Sequence, residues 1–139
     1  MLEYAIERHP REAGDDPCPL HVSSYSEANV LFLALSGELD LYTVGELWRA
    51  IKEGLMDLAI TEIVVDMRAA PFVDSSGYGA FINAAYLLRP RCGCVHLAGC
   101  IPSVTHMLSV LRLSRVFRLY PTTGAARHGA MMPRHKPGS

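Results

Sequence analysis

The chain has 139 residues, the size of one ordinary domain, which argues against an enzyme built from two domains around a cleft. Half of the residues are hydrophobic and 19% are charged, a composition that excludes wholesale disorder. The formal net charge of −1 conceals an uneven distribution, because all fourteen acidic residues lie between Met1 and Asp74, and the eight Lys or Arg beyond Asp74 have no acid among them.

Residues 1–19 combine Pro10, Gly14, Pro17 and Pro19 with a run of charges and are read as a flexible N-terminal arm. Leu20–Ser24 is a short strand candidate, and the apolar run Asn29–Glu38 a second strand bounded by turn residues. In Thr43–Met56 the apolar residues Val44, Leu47, Trp48, Ile51 and Leu55 recur at helical spacing, and Thr43 with Glu46 has the spacing of a capping box. Ile60–Asp66 is a buried strand. A loop through Pro71 leads into a helix over Ser75–Leu88 that carries no charge, so it is either buried nearly all round or shows an apolar face to a partner. Cys94–Ala98 is the next strand, Pro102–Leu113 the next helix with Pro102 in its first turn, and Val116–Tyr120 a last short strand. A short helix near Ala125–Met131 is only faintly signalled, and residues 126–139 are read as a flexible basic tail. The order ββαβαβα plus a short C-terminal element implies an α/β domain over 20–125. Its sheet is mixed and mostly parallel, with the first two strands antiparallel at one edge.

No apolar run reaches the roughly 18–20 residues that span a bilayer, and the acidic start is unlike a secretory signal. A cytoplasmic chain without a membrane partner is therefore expected, with Cys18, Cys92, Cys94 and Cys100 as reduced thiols. The arginines Arg89, Arg91, Arg112, Arg115 and Arg118 come without an aromatic stacking pattern or a DNA-reading motif, so direct nucleic-acid binding is not expected.

Two segments carry most of the chemical information, Gly37-Glu38-Leu39-Asp40 at a strand end and Phe72-Val73-Asp74-Ser75-Ser76-Gly77 at a helix start. Strand C-termini and helix N-termini share one edge of a parallel sheet, which makes Asp40 and Ser75 expected neighbours. A serine in the first turn of a helix sits among unpaired N–H groups at the positive end of the macrodipole, where a phosphate is tolerated. That phosphate would place nearly two negative charges beside Asp74. The same spacing also fits plain capping of the helix by Asp74, Ser75 and Ser76.

Gly37-Glu38-Leu39-Asp40 followed by Thr43, a helix, a strand ending at Asp66, and then Phe72–Gly77 before an apolar helix resemble the STAS domain of anti-sigma factor antagonists. The resemblance continues through Ile101-Pro102-Ser103-Val104 and Arg115-Val116-Phe117. It implies a non-enzymatic regulator of sigma-factor-dependent transcription that switches partners. The unmodified form binds an anti-sigma factor with serine kinase activity, phosphorylation ends the binding, and a metal-dependent serine phosphatase restores it. By the same resemblance Ser75 is the phosphoacceptor, with Asp40, Asp74, Ser76 and Gly77 around it. Asp40, Thr43, Ser75, Ser76 and Tyr78 are the expected partner-binding residues; no cofactor is implied, and a homodimer stays open. Three features depart from the family pattern: Tyr78 stands in place of an aliphatic residue, Arg112 where a glycine is common, and the N-terminal arm is longer than a minimal domain needs.

Other chemistries fit less well. A serine hydrolase would need a nucleophile elbow of the form G-x-S-x-G, which is absent. Cys92-x-Cys94-x-His96-x3-Cys100 offers zinc-binding atoms at a spacing unlike a standard site, so Cys94 is read as an apolar residue of a strand, His96 as a packing or surface residue of the same strand, and no metal is assigned. Within the same family, a scaffold subunit of a stress-signalling assembly or a separate STAS partner of a membrane transporter is the alternative function.

Overall fold

The computed structural model describes residues 20–132, so the expected arm at 1–19, with Cys18, and the tail residues 133–139 lie outside the described residues. The elements are β1 (Leu20–Glu27), β2 (Val30–Gly37), α1 (Val44–Gly54), β3 (Glu62–Ala69), α2 (Ser75–Leu88), β4 (Val95–Ala98), α3 (Pro102–Val110), β5 (Arg118–Tyr120) and α4 (Thr123–Met131). They form one α/β domain of the expected order. The strands lie side by side in sequence order. β1 and β2 form an antiparallel hairpin with Glu27 opposite Val30, and every later pair is parallel.

A parallel sheet that grows always in the same direction through crossovers of one hand places its connecting helices on one face. The packing follows from this. Leu31, Leu33 and Leu35 of β2, Ile63, Val65 and Met67 of β3, and Val95 and Leu97 of β4 point toward α1, α2 and α3. There they meet Leu47, Ile51, Phe81, Ala84, Val104 and Leu108 in the larger core. The alternate residues Val30, Phe32, Val64 and Ala98 face the other way and are covered by Ala126 and Ala130 of α4. This period-two division explains why β2 reads as an unbroken apolar run: both of its faces are buried.

Several element boundaries differ from expectation. β1 runs on to Glu27 because hairpin pairing carries Ser24, Tyr25 and Ser26 past the end of the apolar pattern. α3 stops at Val110, and Arg112 then takes a left-handed conformation with φ 61° before a short 3-10 turn at Leu113–Arg115. Glycine reaches that conformation without steric cost, which explains why glycine suits the position that Arg112 occupies here. β5 consequently starts at Arg118 rather than Val116.

The largest correction concerns the tail. Residues 126–131, expected to be flexible, complete α4, which Thr122 caps by accepting from the Ala125 N–H at 3.1 Å. Ala126 and Ala130 are fully buried and let the helix lie close on the sheet. Arg127 holds it laterally with an ion pair to Glu27 at 2.6 Å while lying over the Phe32 ring. An alanine pair four residues apart is a narrow signal, and only the sheet surface opposite it makes it an interface.

Candidate functional site

The two informative segments are joined by backbone. Leu39 and Val73 form an isolated parallel bridge beyond the ends of β2 and β3. The Leu39 N–H donates to the Phe72 carbonyl at 2.9 Å, and the Asp74 N–H donates to the Leu39 carbonyl at 3.0 Å. Leu39 is fully buried beneath the bridge, and Gly77 in the first turn of α2 lies so near that an added Cβ would meet the Leu39 side chain at 2.7 Å. The glycine is therefore required by close approach, and it seats the helix start on the loop.

Each motif carboxylate binds backbone. Asp40, 1% exposed, accepts through Oδ1 from the N–H groups of Tyr42 at 2.9 Å and Thr43 at 3.1 Å. Asp74 caps α2, its Oδ1 accepting from Ser76 N–H at 2.8 Å and Gly77 N–H at 3.4 Å. Its Oδ2 accepts from the Leu41 N–H at 3.2 Å. Asp74 thus fastens the helix start to the loop that carries Asp40. A carboxylate that binds several N–H groups fixes the loops that supply them.

Thr43 does not complete a capping box. Its hydroxyl accepts from the Asp40 N–H at 2.9 Å and donates to the Glu38 carbonyl at 2.8 Å, and α1 begins without a side-chain cap. The buried loop takes up the hydroxyl that the capping box would use.

Ser75 is the first residue of α2 and is exposed, whereas Ser76 is half-buried. Because Asp74 supplies the cap, the Ser75 hydroxyl is not needed to hold the helix, and none of the described residues hydrogen-bonds it. It stands at the mouth of an apolar groove of about 880 Å³ between α2 and α3, lined by Phe72, Val73, Ile82, Met107, Leu111 and Leu113 among others. Phe72, Met107 and Leu111 are 44%, 40% and 49% exposed, which is unusual for side chains of this size in a surface cluster.

Tyr78 lies where sequence reasoning did not put it. It is 6% exposed and packs in the larger core, with one edge on the floor of the groove. Burial, and then the neighbouring Cys100, push its hydroxyl pKa up. Burial also pushes the Cys100 thiol up to about 11, so this cysteine stays protonated and unreactive at neutral pH. On α2 the large exposed apolar residues are instead Tyr86 and Leu87. The groove itself went unread from the sequence; its one local sign is Phe72, a large apolar residue in a loop, since the other wall comes from α3 some thirty residues later.

The profile of the STAS domain family matches residues 21–126. An anti-sigma F factor antagonist of Paenibacillus polymyxa is 26% identical over 101 residues, 73% of this chain and 86% of the relative. The crystal structure of an anti-sigma factor antagonist from Mycobacterium paratuberculosis superposes with a TM-score of 0.74 at 23% identity, covering 84% of this chain and 98% of that one. The phosphorylated form of the Bacillus cell fate determinant SpoIIAA superposes with a TM-score of 0.63 at 20% identity, covering 78% and 99%.

Proposed function

Because the chain belongs to the STAS domain family, we propose that it is an anti-sigma factor antagonist whose partner is an anti-sigma factor with serine kinase activity. In this reading the unmodified protein docks that partner, Ser75 accepts the phosphoryl group, and a metal-dependent serine phosphatase removes it. The observation that carries the reading is an exposed serine on a backbone frame set independently of it, at the mouth of an open apolar groove.

Each site residue has a role that follows from its contacts. Asp74 and Asp40 hold the two loops in one geometry, so that the Ser75 hydroxyl is presented in a fixed place. Thr43 locks the loop from beneath. Gly77 lets α2 approach Leu39. Ser76, half-buried in the same turn, borders the docking surface, and Tyr78 shapes the groove from below rather than contacting a partner at its rim. Phosphorylation leaves the fold intact because the first turn of a helix accommodates an anion. It ends docking because about −1.5 to −2 charges then sit beside Asp74 at the edge of a surface that must lose water to be covered. The regulator itself is not an enzyme; the chemistry belongs to its partners.

The experiment is incubation of the full chain with candidate anti-sigma kinases and ATP, followed by mapping of the phosphopeptide. One phosphate on Ser75, with loss of the complex after modification, is expected. A phosphate on Ser76 alone, or a modified protein that still binds its kinase, overturns the reading.

A further inference from the structure

At the end of the sheet opposite Ser75, residues from two strands meet in a cluster that the switch does not use. Glu62 opens β3, Cys94 immediately precedes β4, and His96 lies within β4. His96 Nε2 is 2.8 Å from Glu62 Oε1 and 3.6 Å from Cys94 Sγ, and Cys94 Sγ is 3.7 Å from Glu62 Oε1. The three ligand atoms all lie within 4.8 Å of one another. His96 is 0% and Glu62 4% exposed, and Cys94 is half-buried, which leaves one open side to the cluster.

We propose that Glu62, Cys94 and His96 form a binding site for one Zn²⁺ ion, with the fourth coordination position open to solvent. Tetrahedral zinc with ordinary bond lengths sets its sulfur about 3.6 Å from both the nitrogen and the oxygen ligand, and those two about 3.4 Å apart. Both sulfur edges already have these lengths. Only the nitrogen–oxygen edge is shorter, at the length of a hydrogen bond, and it opens by about half an ångström when the metal takes the place of the shared proton. Loading is therefore an exchange: the proton between His96 and Glu62 and the thiol proton of Cys94 leave to solvent as Zn²⁺ enters. The charges balance, since one thiolate and one carboxylate neutralise a dication around a neutral imidazole. A thiolate with an imidazole selects a borderline metal over Mg²⁺ or Ca²⁺, which take oxygen ligands.

The surroundings hold the ligands in place. His96 Nδ1 lies 2.9 Å from the Tyr120 hydroxyl, so with Nε2 on the metal the Nδ1–H donates to Tyr120, the outer-shell bond that orients metal-bound histidines. Gly93 presses against the Thr61 backbone too closely for any side chain, and the Ile63 N–H donates to the Cys94 carbonyl at 3.1 Å. Cys94 and Glu62 are thereby brought together by main chain. The sequence motif alone points elsewhere, because Cys92 is exposed and Cys100 lies beyond the other end of β4; the third ligand, Glu62, comes from a different strand. Such an ion would tie β3 to β4 and, through Tyr120, to β5, away from the phosphorylation edge.

The test uses the full chain, stripped with EDTA under a thiol-free reductant and titrated with ZnCl₂ against a chromogenic indicator. About one equivalent of Zn²⁺ per chain is expected, with a melting temperature that rises with free zinc. Cys94→Ser is expected to weaken binding at least tenfold and Tyr120→Phe by about 10–100-fold, while Cys92→Ser and Cys100→Ser bind as the wild type does. No binding to the wild type, or a folded Cys94→Ser variant that binds equally well, overturns the proposal. Should Cys94→Ser fail to fold, Co²⁺ replaces Zn²⁺ in the wild type: a thiolate-to-cobalt charge-transfer band supports the site, and bound cobalt without that band overturns it.

Discussion

The two ends of the parallel sheet differ in what their carboxylates bind besides backbone. At the C-terminal edge, Asp40 and Asp74 bind backbone N–H groups. At the N-terminal edge, Glu62 accepts from the Cys94 N–H at 3.3 Å and also binds the side chains of His96 and Cys94. A backbone-bound carboxylate shapes its loop whatever the neighbouring side chains do, so a serine beside it can change charge without disturbing the frame. A carboxylate bound to an imidazole and a thiol depends on their protonation, which a metal replaces. The first arrangement suits reversible modification, and the second suits an ion.

Substitutions at and near the C-terminal edge sharpen this contrast. The largest expected effect is at Ser75. Ser75→Ala should remove all kinase-dependent phosphate incorporation and, because the residue is exposed and the cap is Asp74, change stability by less than about 0.5 kcal/mol. Equal labelling of the variant would break the assignment, and a large loss of stability by chemical denaturation would show that the hydroxyl belongs to the frame after all.

Tyr78→Ala comes next. A buried aromatic in the larger core should cost about 3 kcal/mol when truncated, read as a lower urea midpoint. Unchanged stability with weaker partner binding would instead place Tyr78 on the docking surface. Asp74→Ala follows, since it removes the helix cap and the link to Leu41 together; about 1–2 kcal/mol is expected, and a loss near zero would mean that the Leu39–Val73 bridge holds the loops alone.

The smallest effect is expected at Asp66, which is half-buried and paired with an exposed arginine, a contrast to both ends. The Arg68 guanidinium, 2.8 Å away, holds its carboxyl below the usual carboxylate range through a side-chain hydrogen bond that outweighs partial burial. A lowered folded-state pKa stabilises above the unfolded value of 3.8 and loses that contribution as pH falls through the folded one. Arg68 is 65% exposed on its side chain, so solvent screens the pair to about 0.2–1 kcal/mol. The stability gap between wild type and Arg68→Met should therefore close in acid and in high salt. A gap that widens in acid would mean that Arg68 does not lower the Asp66 pKa.

Local pattern was sufficient where burial is one-sided and the signal contiguous. The spacing of Val44, Leu47 and Ile51 set α1, and a mostly parallel sheet with an antiparallel first pair follows from elements alternating along the chain, while the side-by-side order of the strands is seen only in the structure. The adjacency of Gly37–Asp40 and Phe72–Gly77 was also legible, because a parallel sheet must bring strand ends and helix starts to one edge. What could not be read was which partner each polar side chain takes. Thr43 has the spacing of a cap, yet its hydroxyl lies in the buried loop.

By itself, then, the sequence determined the alternation of strands and helices and the serine at the start of α2, since both are written in neighbouring residues. The tertiary structure alone decided that Tyr78 is core, that residues 126–131 pack against the sheet, that Phe72 and Met107 share a groove, and that Glu62 meets His96. Each of these depends on surfaces that folding brings together from distant parts of the chain, and period and propensity carry no information about what stands opposite.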